Sequence, residues 1–360
     1  MAETLLFYAL PVFLLCMAAE WAWGHWRGRD NYSLADTLNS LSQGLLSQGV
    51  ALLTPMAQTG LYAAVHARLA LVSPALWHGA LSWVLAVLMY DFCDYWLHRV
   101  SHESALFWAA HAVHHQSEHF NLSTALRQES FYSVMGAPFF LPMALLGVPT
   151  GQFAAAGMVV LLYQFWIHTE HIGRLGWLDR VFSTPSNHRV HHAVNPGYLD
   201  RNYGAILVLW DRLFGSFTPE TEPCVYGTVK PLASWNPLWA VGQFYAEIWR
   251  RMQATSRLAD KLRVIFKSPG WMPPGAALAG DLPEVRLARP RFDPPAPRWA
   301  RRAAVLLFIA MAAGCGAWLS WADALGPLAN LAAGAALAAG LWGVGALLSR
   351  PLRGPATGSA

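Results

Sequence analysis

Long apolar runs separated by short polar stretches fill the first 170 residues and return after residue 303. Runs near residues 5–23, 41–63, 79–97, 131–148, 152–168, 303–322 and 326–348 predict helices able to cross about 30 Å of hydrocarbon. Pro138 and Pro142 inside the fourth run predict a kinked or re-entrant segment. Between the fifth and sixth runs the pattern changes to spaced aromatics in polar surroundings. It predicts helices to about residue 265 and irregular, Pro-rich chain from Pro269 to Pro297. The last two runs, rich in Ala and Gly, predict a packed hairpin with no chemistry of its own. No repeat with a 20–50 residue period is present, which argues against solenoids and propellers. The expectation is an all-α, polytopic membrane protein in four parts. These are N-terminal membrane helices over 1–78, a central unit over 79–268, a Pro-rich segment over 269–302 and a C-terminal hairpin over 303–348.

Composition supports the membrane reading. The chain is 55% hydrophobic and 13% charged, against roughly 25% charged in a soluble domain, with a mean hydropathy of +0.29. A net charge of +4 is too mild to imply a nucleic acid partner. The position of the charge says more. Of 25 basic residues, 18 lie between residues 174 and 302, and basic loops collect on the cytoplasmic side. That places the long segment, the loop over 99–130 and both chain-terminal basic pairs in the cytoplasm, with the N-terminus outside. Three Lys among the basic residues, beside abundant Ala, Gly and Pro, point to a GC-rich bacterial genome and so to an inner membrane. The N-terminus lacks a positive n-region and is expected to be a retained anchor. Cys16, Cys93 and Cys315 fall in apolar stretches, and no disulfide framework is suggested.

The 14 histidines are clustered. His98 and His102 form one block, His111, His114 and His115 a second, and His188, His191 and His192 a third, with His168 at the foot of the fifth run. Separations of three and four residues put side chains on neighbouring parts of one helix face. All nine project toward the same membrane surface in this topology. Imidazole suits Fe, Zn, Cu and Ni, whereas Mg and Ca prefer oxygen. One structural zinc takes four ligands, so nine histidines favour two metals close together, the expected cytoplasm-facing di-metal site. His25, His66 and His78 stand in loops without partners and read as structural. His119 and His171 stay open, the latter as part of an H-x-x-H pair with His168.

Asp91 and Asp94 precede His98 by seven and four residues, so with His102 they share about a quarter of the helix circumference. Carboxylates in a span are costly and usually functional. They are candidate acceptors for the outer N–H of ligating imidazoles. Glu103, Glu118, Glu129, Glu170 and Asp200 are further candidates, with Asp200 an alternative turn residue beside Asn202.

The blocks HRVSH, HAVHH and HRVHH, in that order and at those intervals, resemble the fatty acid hydroxylase superfamily, which includes sterol desaturases and methyl oxidases. The stretches HESALFWAAHAVHHQSEHFNLSTALRQ, YQFWIHTEHIGRLG and TPSNHRVHHAVNPGYLDRNYGAILVLWDRLFGSF, with the later VIFKSPGWMPPG, are similar within it to the alkylglycerol monooxygenases. The likeness covers roughly residues 80–295. It implies a membrane-embedded di-iron oxygenase acting on a lipid, with the eight block histidines and His168 as ligands and Glu103 as a catalytic residue. It implies O2 and an external electron donor, whether a tetrahydropterin, a cytochrome or a ferredoxin. His119 and His171 depart from the pattern.

The function expected is oxygen-dependent hydroxylation of an unactivated C–H bond on a fatty acyl, sterol or ether lipid. Two other classes compete with it. A metal-transporting or metal-binding membrane protein would place its site near the bilayer midplane at a repeat interface, and a di-zinc hydrolase would activate water.

Overall fold

The computed structural model describes residues 2–276 and 290–350. Residues 277–289 of the expected Pro-rich segment lie outside the described residues. Helices α1 (Ala2–Trp26) and α2 (Leu34–Leu53) come first, and a π-helical turn over Met56–Gly60 leads into α3 (Leu61–Leu69). Helix α4 (Gly79–Glu103) ends where Ser104 turns extended, and the chain reverses into α5 (Ala105–His115). A single turn, α6 (Leu122–Ala125), is capped at its N-terminus by a reciprocal Asn121–Thr124 box. Short α7 (Tyr132–Gly136) and α8 (Leu141–Leu145) flank a 3-10 turn, and α9 (Thr150–Trp166) follows. Next come α10 (Pro185–His192), opened by its proline, then α11 (Leu209–Phe214), α12 (Pro237–Gln253) and α13 (Leu258–Phe266). The hairpin of α14 (Arg298–Trp321) and α15 (Pro327–Leu348) closes the chain. Among the described residues there is no strand, and isolated bridges pair Phe182 with Leu207 and Ala193 with Tyr226.

Three helices among the described residues are long and apolar enough to cross a membrane: α4, the helix from Arg298 to Ala324, and α15. The chain is an integral membrane protein, and three of the seven expected runs, 41–63, 131–148 and 152–168, take shorter, broken or differently bounded helices. The 41–63 run is instead α2, which starts at Leu34 and stops before Pro55. Its Asn39 and Gln43 are buried and donate to the Trp235 and Pro237 carbonyls at 2.9 and 3.0 Å. An apolar count reads that run as lipid-facing, whereas one face of it is a polar seam packed on protein. The 131–148 run breaks into α7, the 3-10 turn and α8 at its prolines. Helix α9 has 17 residues, about 25 Å at 1.5 Å per residue, short of a 30 Å core. Helix α1, at 25 residues, has the length of a span.

Helix α4 is packed by α3, α8 and α9 around Tyr62, Ala86, Leu97, Met143 and Val148. Helix α2 joins the terminal hairpin through Leu46, Trp318, Leu337 and Leu341. The hairpin in turn meets the start of α12, where a Cβ on Gly345 would collide with the Trp235 carbonyl. Only glycine allows that approach. The histidine-bearing ends of α4, α5 and α10 meet within this frame.

Candidate metal centre

The last two turns of α4 carry His98 and His102, while α5 ends on His111, His114 and His115 and α10 on His188, His191 and His192. At 3.6 residues per turn, residues i and i+4 lie about 40° apart, and i+3 lies about 60° to the other side. Each H-x-x-H-H block therefore presents a pair in one direction and a single imidazole in another. The structure uses both directions. His98, His102, His111, His115 and His191 form one group, and His114, His168, His188 and His192 form a second, with the ligand atoms of each within 4.8 Å of one another. Helix α5 gives its pair to the first group and its single to the second, and α10 does the reverse. The groups adjoin, with the rings of His115 and His192 stacked at 4.3 Å.

Six of the nine outer ring nitrogens are met by the surrounding chain, whereas His188 Nδ1 is buried without a partner. His98 Nδ1 donates to the Tyr203 carbonyl at 2.8 Å, His114 Nδ1 to that of Arg127 at 3.1 Å, His168 Nδ1 to that of Gln164 at 2.7 Å and His191 Nδ1 to that of Arg201 at 2.9 Å. Glu129 takes His111 Nδ1 at 2.7 Å, and Asp200 Oδ1 faces His102 Nδ1 at 3.4 Å. A carbonyl only accepts, so these Nδ1 atoms carry the proton and leave Nε2 with a bare lone pair. Burial, and after it the neighbouring imidazoles, hold His111, His115, His188, His191 and His192 well below the ordinary histidine range. The rings stay neutral.

Inner nitrogens crowd together. His114 Nε2 lies 3.2 Å from His168 Nε2, a pair of lone pairs that cannot bond to each other. His98 and His111 meet at 3.1 Å, His111 and His115 at 3.0 Å, His115 and His191 at 3.2 Å, His168 and His188 at 2.9 Å, and His188 and His192 at 3.1 Å. His102 Nε2 is buried without a hydrogen-bond partner. Such an arrangement is unfavourable unless a cation lies between the nitrogens. With bonds of about 2.0–2.1 Å, ligands at right angles lie about 3.0 Å apart and tetrahedral ligands about 3.4 Å. The observed spacing fits an ion with room for further ligands. The donor set therefore fits two transition-metal ions.

The other sequence candidates fall elsewhere. Asp91 accepts from the Ile206 and Leu207 amides and from Trp210 Nε1, fixing that loop to α4. Asp94 is bonded by the Gln164 side chain, whose own carbonyl serves His168. Glu103 is about half exposed and pairs with Arg99 Nε at 2.9 Å. Neither His119 nor His171 joins a group: His119 lies 3.4 Å from Arg291 Nη1, and His171 Nε2 is buried without a partner. Glu118 takes the Phe292 amide, and Glu170 is bonded by Tyr226. Sequence reasoning missed the four carbonyl acceptors and the buried Asp211. The run Asp200–Gly204, with turn-forming Asp and Asn before a glycine, was the available signal.

Residues 83–216 match the family model described as fatty acid hydroxylase. The chain is 38% identical over 294 residues to an alkylglycerol monooxygenase of Danio rerio, covering 81% of this chain and 65% of that protein. It is 38% identical over 280 residues to the alkylglycerol monooxygenase of Homo sapiens, covering 77% of this chain and 62% of the relative. Ornithine lipid hydroxylase OlsE of Rhizobium tropici is 30% identical over 212 residues, with 55% of this chain and 61% of its own length covered. The chain thus spans a little under two thirds of the length of these relatives. No solved structure matches it significantly. The relatives from Danio rerio, Xenopus tropicalis and Homo sapiens are animal proteins, which lends no support to the bacterial origin expected from composition. Residues 83–216 are thus similar to a fatty acid hydroxylase domain, and the chain that carries them is similar over most of its length to the alkylglycerol monooxygenases.

Proposed function

We propose that the chain is a membrane-bound oxygenase that hydroxylates an unactivated C–H bond of a lipid, using O2 and an external reductant. The observation that carries this reading is the adjoining pair of neutral imidazole groups with their Nε2 atoms turned inward. On this reading His98, His102, His111, His115 and His191 hold one iron and His114, His168, His188 and His192 the other. When bound, two redox-active irons supply activation of dioxygen, which zinc lacks. The chain supplies tautomer and orientation through its carbonyl acceptors, and burial keeps bulk water from the reacting centre. Glu103 enters through its pair with Arg99, Asp94 through Gln164, and Asp91 by fixing the 206–210 loop.

The relatives' names favour an ether lipid of the alkylglycerol class over a sterol or simple acyl chain. Hydroxylation next to the ether oxygen would give a hemiacetal that collapses to an aldehyde and glycerol. A cleft of about 350 Å³ lined from α1 by Cys16 and Trp23 and from the end of α9 and beyond by Phe165, Trp166 and Thr169 lies beside the segment that carries His168, and is the place we assign to the lipid chain. The reductant is a tetrahydropterin, a cytochrome or a ferredoxin, reaching the centre from the cytoplasm, the side on which the basic residues of 174–302 lie. Residues 79–268 are the catalytic unit.

The test is lipid analysis of cells with and without the gene under ¹⁸O₂. Label in one lipid class, lost in His114→Ala and in His191→Ala, is the expected result, with bound iron reduced most in His114→Ala. Full turnover in either variant refutes the centre. Zinc-containing protein that cleaves lipid esters without oxygen, or metal uptake without oxygen consumption, refutes the oxygenase.

A further inference from the structure

Residues 200–204 serve three imidazoles of the five-histidine group at once. Asp200 Oδ1 faces His102, the Arg201 carbonyl takes His191 and the Tyr203 carbonyl takes His98. Asp200 and Asn202 have φ of 57° and 56°, the left-handed region that Asp and Asn tolerate best among side-chain-bearing residues. Asn202 pins this strap from one side. Its Nδ2 donates to the Asn187 and Thr218 carbonyls at 3.0 and 2.8 Å, and its Oδ1 accepts the Thr218 amide at 2.8 Å.

Asp211, fully buried, pins the strap from the other side. Its Oδ1 accepts the Tyr203 amide at 2.7 Å and Ser216 Oγ at 2.7 Å, and its Oδ2 accepts the Gly204 amide at 2.8 Å. The Gly204 N–H and the Tyr203 C=O belong to one peptide unit. The carboxylate therefore grips one edge of that peptide while His98 Nδ1 bonds the other. Hydrogen bonds in series polarise one another, so a carboxylate on the amide strengthens the carbonyl as an acceptor. A Cβ on Gly204 would collide with the Leu207 carbonyl and come within 2.9 Å of Asp211 Oδ2, so the close approach requires glycine. The series continues outward from Asp211 through Ser216 Oγ to Tyr95 at 2.9 Å and Arg99 at 3.2 Å. It ends on Glu103, back on the helix that bears His98.

We propose that Asp211 is a positioning residue for His98, acting through the Tyr203–Gly204 peptide, and that the strap it anchors orients the five-histidine group. This rests on the metal-centre reading above. The probe is Co²⁺ alone, titrated against a chromophoric chelator into the purified full chain. A His188→Ala, His192→Ala background leaves the five-histidine group intact, and a His98→Ala, His111→Ala background leaves the four-histidine group.

Asp211→Asn is expected to weaken Co²⁺ binding about 10- to 100-fold in the first background, the scale seen for outer partners of metal ligands. It should change nothing in the second, and Asp211→Glu should recover part of the loss. Equal weakening in both backgrounds marks a merely structural role and overturns the proposal, as does no weakening in either. Should Asp211→Asn not fold, Ser216→Ala removes one donor from the carboxylate and should give a smaller loss with the same selectivity. Unchanged affinity there overturns the proposal too. Wild-type chain that binds no Co²⁺ overturns the metal centre as well, whereas two bound ions without selectivity in Asp211→Asn overturn this inference alone.

Discussion

Arg127 is the largest side chain buried to 1% exposure, and its replacement by Met gives a sharp test of how the loop after α5 is held. The guanidinium donates to the Val113 carbonyl at 2.5 Å, to Asn39 Oδ1 at 2.7 Å and to Gln116 Oε1 at 3.2 Å, with Ser40 Oγ at 3.4 Å. Burial pulls the group down to about 10 and the Asp36 charge pushes it up, so it remains protonated at neutral pH. Hydrogen bonds to a charged group contribute about 1.5–3 kcal/mol each, and three at the low end give about 4–5 kcal/mol. That is on the scale of about 3–5 kcal/mol measured for breaking buried ion pairs, and Asp36 acts on the guanidinium through its charge. With an unfolding entropy of about 2.1 cal/mol/K per residue, the melting point should fall by about 4–7 °C. The assay is tryptophan-monitored melting of the full chain in nanodiscs. Lys230→Ala is the control, since Lys230 is about half exposed in its pair with Glu247 and should cost under about 1 kcal/mol. Arg127→Met melting within about a degree of wild type would refute the argument.

Glu129→Gln should lower metal affinity about 10- to 100-fold by weakening the acceptor on His111 Nδ1, measured by chelator competition. His114→Ala removes one of four ligands and His115→Ala one of five, so metal analysis should find the first variant nearer one ion per chain and the second nearer two. Burial pushes the Glu247 carboxyl up, but hydrogen bonds from Arg250 and Lys230 outweigh it and hold the group at about 2, below its ordinary 4.5. Its stabilising effect is complete above pH 4.5 and lost as pH falls toward 2, and Glu247→Gln should flatten acid melting in that window. A cysteine at exposed Arg257 should react with an impermeant maleimide from the cytoplasmic side only. Labelling from outside would reverse the proposed topology.

The histidine groups were legible because their signal is local: spacing of three and four residues on a helix fixes direction without knowledge of the fold. Assignment of each imidazole to one of two groups was not, since it depends on how α5 and α10 face each other. The outer partners were harder still. Every residue has a carbonyl, so nothing in the sequence singles out Arg127, Gln164, Arg201 or Tyr203. Asp91 shows the limit of helix-face reasoning, because it shares a face with His98 yet bonds the 206–207 amides and Trp210. Span counting failed at α2 for a related reason. Hydropathy averages around the helix and hides a seam of Asp36, Asn39 and Gln43 turned toward protein.

Interleaving the blocks has a mechanical consequence. Turning α5 about its axis to bring His111 and His115 closer to the first group swings His114 relative to the second, and α10 has the same constraint in reverse. Neither group can be adjusted alone, so the rotation of both helices must be fixed from outside. Helix α10 has eight residues, too few to be stable by itself. Its setting comes from Arg189, which bonds the Thr169 and Ile172 carbonyls and Glu220, and from the Arg201 carbonyl on His191. Helix α5 is set by Glu129 on His111 and by Arg127, whose guanidinium holds the Val113 carbonyl while its own carbonyl holds His114. The residues that tune the centre are therefore expected among these loop anchors, in chain positions that no histidine spacing would single out.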